Sequence, residues 1–262
     1  MIISHKNKFI YIKARKVAGT SVEIALSALC GKDDIITPIY EKDEILRMEK
    51  FNSYCRNYAL DKVEELKHIE KLIMVKNEKD TAKKNELIEG LSAPPGLFHS
   101  HTTLQDLLGY DLSKITGYLL ISICRNPFSI LVSNAEWITF RQKYNKFDKE
   151  KREITNKEIL ATLIERFDQC LNIAVKSINC IKGHEIFKNK YTIRYENLTD
   201  DTNGLFAILG HEPIPLPITK KGIREKRTLS YYFNQERVNI VSSMFNEYMK
   251  LHGYTDAPDQ LL

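Results

Sequence analysis

Three groups of residues have types and spacings that could do chemistry. The run Lys13-Ala14-Arg15-Lys16-Val17-Ala18-Gly19-Thr20-Ser21 puts cations, small residues and hydroxyls at consecutive positions. Such a run suits an anion: Gly19 lets backbone approach closely, and Thr20 and Ser21 can cap a following helix or donate hydroxyls to a phosphate oxygen. The second group is Arg125-Asn126-Pro127, with Ser133 further along. The third is Phe98-His99-Ser100-His101-Thr102-Thr103, after the turn residues Pro94-Pro95-Gly96. Neutral histidine is the side chain best matched to proton abstraction at pH 7. His99 and His101, two apart, would point the same way on a strand and could bind a metal, but no third ligand is spaced nearby.

These groups need elements to position them. Phe9-Ile10-Tyr11-Ile12 reads as a short buried strand, and Val22, Ala25, Leu26 and Leu29 recur at helical spacing up to Gly31, a natural residue just past a helix end. The cationic run therefore joins a strand to a helix N-terminus, where unpaired N–H groups and the helix dipole attract anions. Tyr118-Leu119-Leu120-Ile121-Ser122-Ile123-Cys124 has the near-continuous apolar character of a strand buried on both faces of a parallel sheet. Asn126 as N-cap and Pro127 at the first helical position start a helix that turns Phe128, Leu131, Val132, Ala135 and Ile138 inward. Arg125 thus sits at the carboxyl end of a central strand, the edge where open α/β sheets bind ligands. Ser133 lies two turns on, about 10 Å up that helix.

The nucleotide triphosphatase motif G-x-x-x-x-G-K-[ST] is excluded by order, since Ala14 replaces its first glycine and Gly19 is followed directly by Thr20. The order K-x-x-G-T-S between strand and helix instead resembles the 5′-phosphosulfate loop of sulfotransferases that use 3′-phosphoadenosine 5′-phosphosulfate. Lys16 falls on that family's lysine, and Arg15 and Ala18 depart from its usual P-K-x-G-G-T-S. Arg125-Asn126-Pro127-Phe128-Ser129-Ile130-Leu131-Val132-Ser133 resembles the family's 3′-phosphate motif, R-x-P-x-x-x-x-x-S. Thr192-Ile193-Arg194-Tyr195-Glu196-Asn197-Leu198 resembles its late strand, and His101-Thr102-Thr103-Leu104-Gln105-Asp106-Leu107 resembles an H-M-x-A-x-E-I element of bacterial members. Residues from about Tyr40 to Pro95 match nothing.

The resemblance implies an α/β fold, a P-loop-like sandwich with a central parallel β-sheet flanked by helices. It implies one domain over 1–262; within it the unmatched residues 41–95, rich in Lys and Glu with Ile69, Leu72, Ile73 and Lys76 at helical intervals before Ala93-Pro94-Pro95-Gly96, read as a charged helical insertion. It further implies sulfuryl transfer from 3′-phosphoadenosine 5′-phosphosulfate to a hydroxyl of a carbohydrate or small metabolite, leaving adenosine 3′,5′-bisphosphate. In that scheme Lys16 and His101 are catalytic, His101 being favoured over His99 as base. Arg15, Lys16, Ala18, Gly19, Thr20 and Ser21 bind the 5′ side of the donor, and Arg125 and Ser133 its 3′-phosphate. Arg224 and Arg227, in the basic loop Lys220-Lys221-Gly222-Ile223-Arg224-Glu225-Lys226-Arg227, close over it. No metal is called for. A P-loop nucleotide kinase and a non-catalytic polyanion-binding module stand as alternatives.

Composition agrees with a globular enzyme. The chain has 262 residues, 43% of them hydrophobic, enough for a full core. Its formal charge of +5 suits an anionic ligand but is too diffuse to imply nucleic acid. Cys30, Cys55, Cys124, Cys170 and Cys180 form no C-x-x-C pair, as expected of reduced thiols in a cytoplasmic protein. No signal peptide or membrane-spanning run is legible. The capping box Thr155-Asn156-Lys157-Glu158 opens what reads as one long helix to Ile178, and Val238, Val241, Phe245 and Met249 read as another, ending near Gly253.

Overall fold

A computed structural model describes residues 1–110, 114–144, 154–217, 225–257 and 259–262. In chain order the elements are β1 (Ile2–Ser4), β2 (Phe9–Tyr11), α1 (Gly19–Ser27), β3 (Ile35–Ile36), α2 (Glu41–Phe51), α3 (Lys62–Asn77) and α4 (Thr81–Glu89). They continue with β4 (Leu119–Cys124), α5 (Pro127–Lys143), α6 (Asn156–Glu165), α7 (Phe167–Ile178), β5 (Lys190–Arg194) and α8 (Leu198–Ile208). The last three are α9 (Leu229–Tyr232), α10 (Gln235–Met244) and α11 (Asn246–His252). No helix among the described residues is long and apolar enough to cross a membrane.

The elements gather into two compact units. The first comprises Met1–Ala14, Ala18–Ile123 and Cys180–Thr219; the second comprises Arg15–Val17, Cys124–Asn179 and Lys220–Leu262. The first unit contains the sheet, in the order β3-β1-β2-β4-β5. The α/β architecture is as expected, but the sheet is mixed. β2 and β4 run parallel, Phe9 opposite Leu119 and Tyr11 opposite Ile121, while β1 is antiparallel to both β2 and β3. A four-residue turn between β1 and β2 is too short for the crossover a parallel pair needs. Because β2 and β4 are parallel, their carboxyl ends share one edge of the sheet, and Ile12 N–H extends the pair by donating to Ile121 O at 3.0 Å. Residues 41–95 supply the helices α2, α3 and α4.

The expected helix signals resolve in detail. Asn126 Oδ1 caps α5 by accepting from Phe128 N–H, with Pro127 at the first position. The Thr155/Glu158 capping box opens α6. The long helix to Ile178 is instead two, α6 and α7, broken at Arg166 (φ −114°, ψ 28°), and the C-terminal helix breaks likewise at Phe245. Gly253, at φ 65°, ends α11. Gly31 does not end α1, which stops at Ser27; its N–H donates to Asp34 Oδ2 instead. That carboxylate also takes Ser4 Oγ–H and the N–H groups of His5 and Lys6, pinning the β1–β2 turn to the segment before β3.

Neither Thr20 nor Ser21 caps α1. The helix begins at Gly19, and the N-cap is Ala18, a residue without a side-chain acceptor held at φ 60°, ψ 19°. Lys16 is left-handed too, at φ 63°. A left-handed residue bearing Cβ costs roughly 1–2 kcal/mol, so this loop stores strain. Gly19 is required for a different reason: a Cβ there would lie 2.6 Å from Lys13 Cγ and 2.8 Å from Tyr11 Oη, and that hydroxyl already donates to Gly19 O at 2.9 Å. Ala18→Gly should therefore raise the urea midpoint, relief of strain exceeding the added freedom of the unfolded chain by about 0.5–1 kcal/mol. Gly19→Ala should lower it by the equivalent of about 1–3 kcal/mol.

Candidate active site

Within the first unit the site is built on Glu23, in the second turn of α1 and fully buried. Its carboxylate meets Lys13 Nζ at 2.5 Å, Arg47 Nη2 at 3.5 Å and the Met1 amino group at 2.8 Å. Arg47, from α2 and equally buried, also forks onto both oxygens of Glu44 at 3.1 Å. Burial alone would raise the Glu23 pKa, but the Lys13 ammonium and the other cations hold it at about 2. Lys13, the first cation of the loop, is thus committed to an internal carboxylate and buried with it. Sequence reasoning missed Glu23. The available signal was that it is the sole acidic residue between Phe9 and Gly31, amid three cations.

The histidines sit not on a strand but in a turn closed by Thr102 N–H on His99 O at 3.0 Å, which Thr102 Oγ1 tightens by accepting His99 N–H at 2.8 Å. The contacts of this turn give the two rings opposite tautomers. His101 Nδ1 lies 3.1 Å from Lys13 O; a carbonyl only accepts, so Nδ1 carries the hydrogen and the lone pair of the neutral ring is on Nε2. His99 Nδ1 instead accepts the backbone N–H of His101 at 3.1 Å, which places the neutral ring's hydrogen on its Nε2. His101 is half-buried and His99 exposed. Among the described residues no His, Cys, Asp and Glu side chains cluster as a metal site.

The second unit contains the middle of the loop, Arg15–Val17. Its carbonyls are tied down: Ser177 Oγ donates to Arg15 O at 2.5 Å, and Arg125 Nη1 donates to Lys16 O at 2.6 Å. The Arg125 guanidinium is buried and also donates from Nε to Ser129 Oγ at 3.0 Å. The hydroxyl it meets is thus in the first turn of α5; Ser133, expected beside Arg125 on a 3′-phosphate, is half-buried on the next turn. Tyr248 Oη holds the Arg125 backbone at both N–H and C=O. Lys16 Nζ stands 5.3 Å over the ring of Trp137, which stacks on Phe140. Two residues assigned to the two phosphate motifs, Lys16 and Arg125, are thus joined by a hydrogen bond inside one unit. Sequence reasoning also missed Ser129, Ser177 and Tyr248, whose contacts are long-range and leave no local pattern.

Of the remaining expectations, Arg15 is exposed, and Gly19, Thr20 and Ser21 form the first turn of α1. Arg227 is exposed, with Nη2 2.6 Å from Glu225 Oε2 and its guanidinium 5.8 Å from the Tyr231 ring centroid. Arg224, with Lys220 and Lys221, lies outside the described residues. All five cysteines are thiols.

No family model matches the chain, and no curated protein matches it. Among solved structures it is similar to the crystal structure of a sulfotransferase from Alicyclobacillus acidocaldarius, at 16% identity over 95% of this chain and 96% of that one, with a TM-score of 0.40. At that degree of likeness, function has to be read from the residues and their contacts.

The Glu23 cluster carries a pH dependence of definite sign. A carboxylate whose folded pKa lies at about 2, below its ordinary 4.5, adds stability above pH 4.5 that is lost as pH falls from there toward 2. Glu23→Gln should abolish that part of the acid transition and, by leaving Lys13 and Arg47 buried without their shared anion, cost roughly 3–5 kcal/mol at pH 7. Urea melts of both proteins between pH 2 and 8 measure the difference.

Proposed function

We propose that the protein transfers a sulfuryl group from 3′-phosphoadenosine 5′-phosphosulfate to an acceptor hydroxyl. The contact that best supports this reading is the one between the two motifs, Arg125 Nη1 on Lys16 O. It draws together the lysine and the arginine that the sulfotransferase resemblance assigns to the 5′ and 3′ ends of the donor. The donor set fits such a ligand chemically. A guanidinium, an ammonium and hydroxyls at a helix N-terminus are groups that bind phosphates and sulfates.

The donor, when bound, supplies a sulfuryl group on a good leaving phosphate. Lys16 places its ammonium against the charge that develops on the leaving oxygen, and the backbone N–H groups at the start of α1, with Thr20 and Ser21, hold the 5′-phosphate. Arg125, with Ser133, holds the 3′-phosphate. His101 takes the acceptor proton on Nε2, because Nδ1–H is engaged by Lys13 O. His99 lacks a lone pair on its Nε2, so it cannot serve there without changing tautomer. Arg15, Ala18 and Gly19 shape the loop, and Arg224 and Arg227 close over the 3′ end. A carbohydrate or a small metabolite is the acceptor class, and the cytoplasm the compartment.

The test of the reading is thermal stabilisation by adenosine 3′,5′-bisphosphate against ATP with magnesium. Stabilisation by the bisphosphate is expected; stabilisation by ATP with magnesium alone would assign a kinase instead. Arg125→Ala should weaken the bisphosphate about ten- to a hundredfold more than adenosine 5′-phosphate, the worth of a charged hydrogen bond to the missing phosphate. A loss shared equally by both nucleotides would confine Arg125 to holding the loop. His101→Ala should abolish transfer yet leave bisphosphate affinity within a few-fold, since proton removal belongs to the chemical step alone. His99→Ala should retain most of the activity, and the reverse pattern would move the base to His99.

A further inference from the structure

Helix α3 is buried along one narrow seam, Glu65, His68, Leu72 and Val75, and carries a second apolar stripe on its outer face. Val63, Leu66, Ile73 and Met74 are exposed by 60, 60, 43 and 64%. At 100° per residue these four fall within about a quarter of the helix circumference, on the side away from the seam. Four large apolar side chains on one exposed face exceed the scattered single residues normal for a surface.

The stripe is interrupted at its centre by Lys67 and Glu70, and the order along the helix is therefore apolar, cation, anion, apolar. That order is self-complementary. When two such helices lie antiparallel about a two-fold axis at the level between His68 and Ile69, Val63 faces Met74 of the second copy, and Lys67 faces its Glu70. The pairs repeat on the other side of the axis. On the other flank of the stripe Leu66 lies beside Ile73 of the second copy, about 3 Å along the axis from strict register. A lipid surface would have to bury Glu70 in the middle of the stripe, and that argues against a membrane as the occupant. Among the described residues Glu70 has no ion pair, and Lys67 is shared only with Glu64, at 2.7 Å on an exposed surface, a contact that yields at little cost.

We propose that α3 is a homodimer interface, two copies pairing antiparallel through Val63, Leu66, Ile73 and Met74 with reciprocal Lys67–Glu70 ion pairs. Charge reversal tests it without touching the folded seam. Sedimentation equilibrium of the full chain should show a concentration-dependent dimer. Glu70→Lys and Lys67→Glu should each weaken it about tenfold or more, because like charges then face each other across the axis. An equimolar mixture of the two variants should restore a heterodimer, since the all-cationic centre of one fits the all-anionic centre of the other. Circular dichroism melts check that both variants fold. A wild-type chain that stays monomeric throughout overturns the proposal, whether or not it floats with anionic vesicles. So does a dimer indifferent to both reversals, or a mixture that associates no better than either variant alone.

Discussion

The fully buried Glu23 carboxylate is the constraint around which the first unit is arranged. Placing an ion there costs several kcal/mol, recovered because Lys13, Arg47 and the Met1 amino group are brought to it in fixed positions. Lys13 ends the segment after β2, Glu23 sits on α1, and Arg47 comes from α2, so one charge ties the strand to the two helices that follow it. The side chain of Lys13 is pulled inward, and its backbone carbonyl is left to accept Nδ1–H of His101. The tautomer of that histidine is thereby linked through the Lys13 residue to a fully buried carboxylate.

The middle of the loop is fixed by a different device. Ser177 and Arg125 grip the carbonyls of Arg15 and Lys16. In a planar trans peptide the C=O and the next N–H point in opposite directions, so anchoring the Lys16 carbonyl on Arg125 turns the Val17 N–H away from the guanidinium. Left-handed Lys16 and Ala18 are what that path demands of the backbone. The resembled loop P-K-x-G-G-T-S has glycine where this chain has Ala18. Here the strain of an alanine is retained.

What the sequence made legible was local. The buried strands around Ile10 and Ile121, the Asn126-Pro127 helix start and the Thr155/Glu158 capping box each depend on neighbours within a turn or two, where periodicity and cap chemistry act. The antiparallel β1 was not legible, because three residues carry too little pattern and its pairing is decided by β2 and β3. The breaks at Arg166 and Phe245 were equally hidden: neither residue is glycine or proline, and the apolar stripe runs straight through both positions. In α3 the sequence showed helical spacing but not which face would be covered. Ile73, counted with the apolar residues at helical intervals, proved to lie on the exposed stripe while His68 went inward. In the site, residue types announced an anion, but the division of labour among the cations depended on Glu23, ten positions beyond Lys13.

That division bears on selectivity. Three cations within four residues would repel one another and bind any polyanion loosely. Pairing Lys13 with Glu23 removes one charge from the field of the loop, and the exposed side chain of Arg15 is screened by solvent. Lys16 differs from both: it is half-buried, its ammonium against the face of an indole and its carbonyl held by a second cationic side chain. A cation over an aromatic face is worth roughly 0.5–2 kcal/mol, less than a desolvated contact with an anionic oxygen, so Trp137 can hold the Lys16 side chain in place without outbidding a sulfate or phosphate for it.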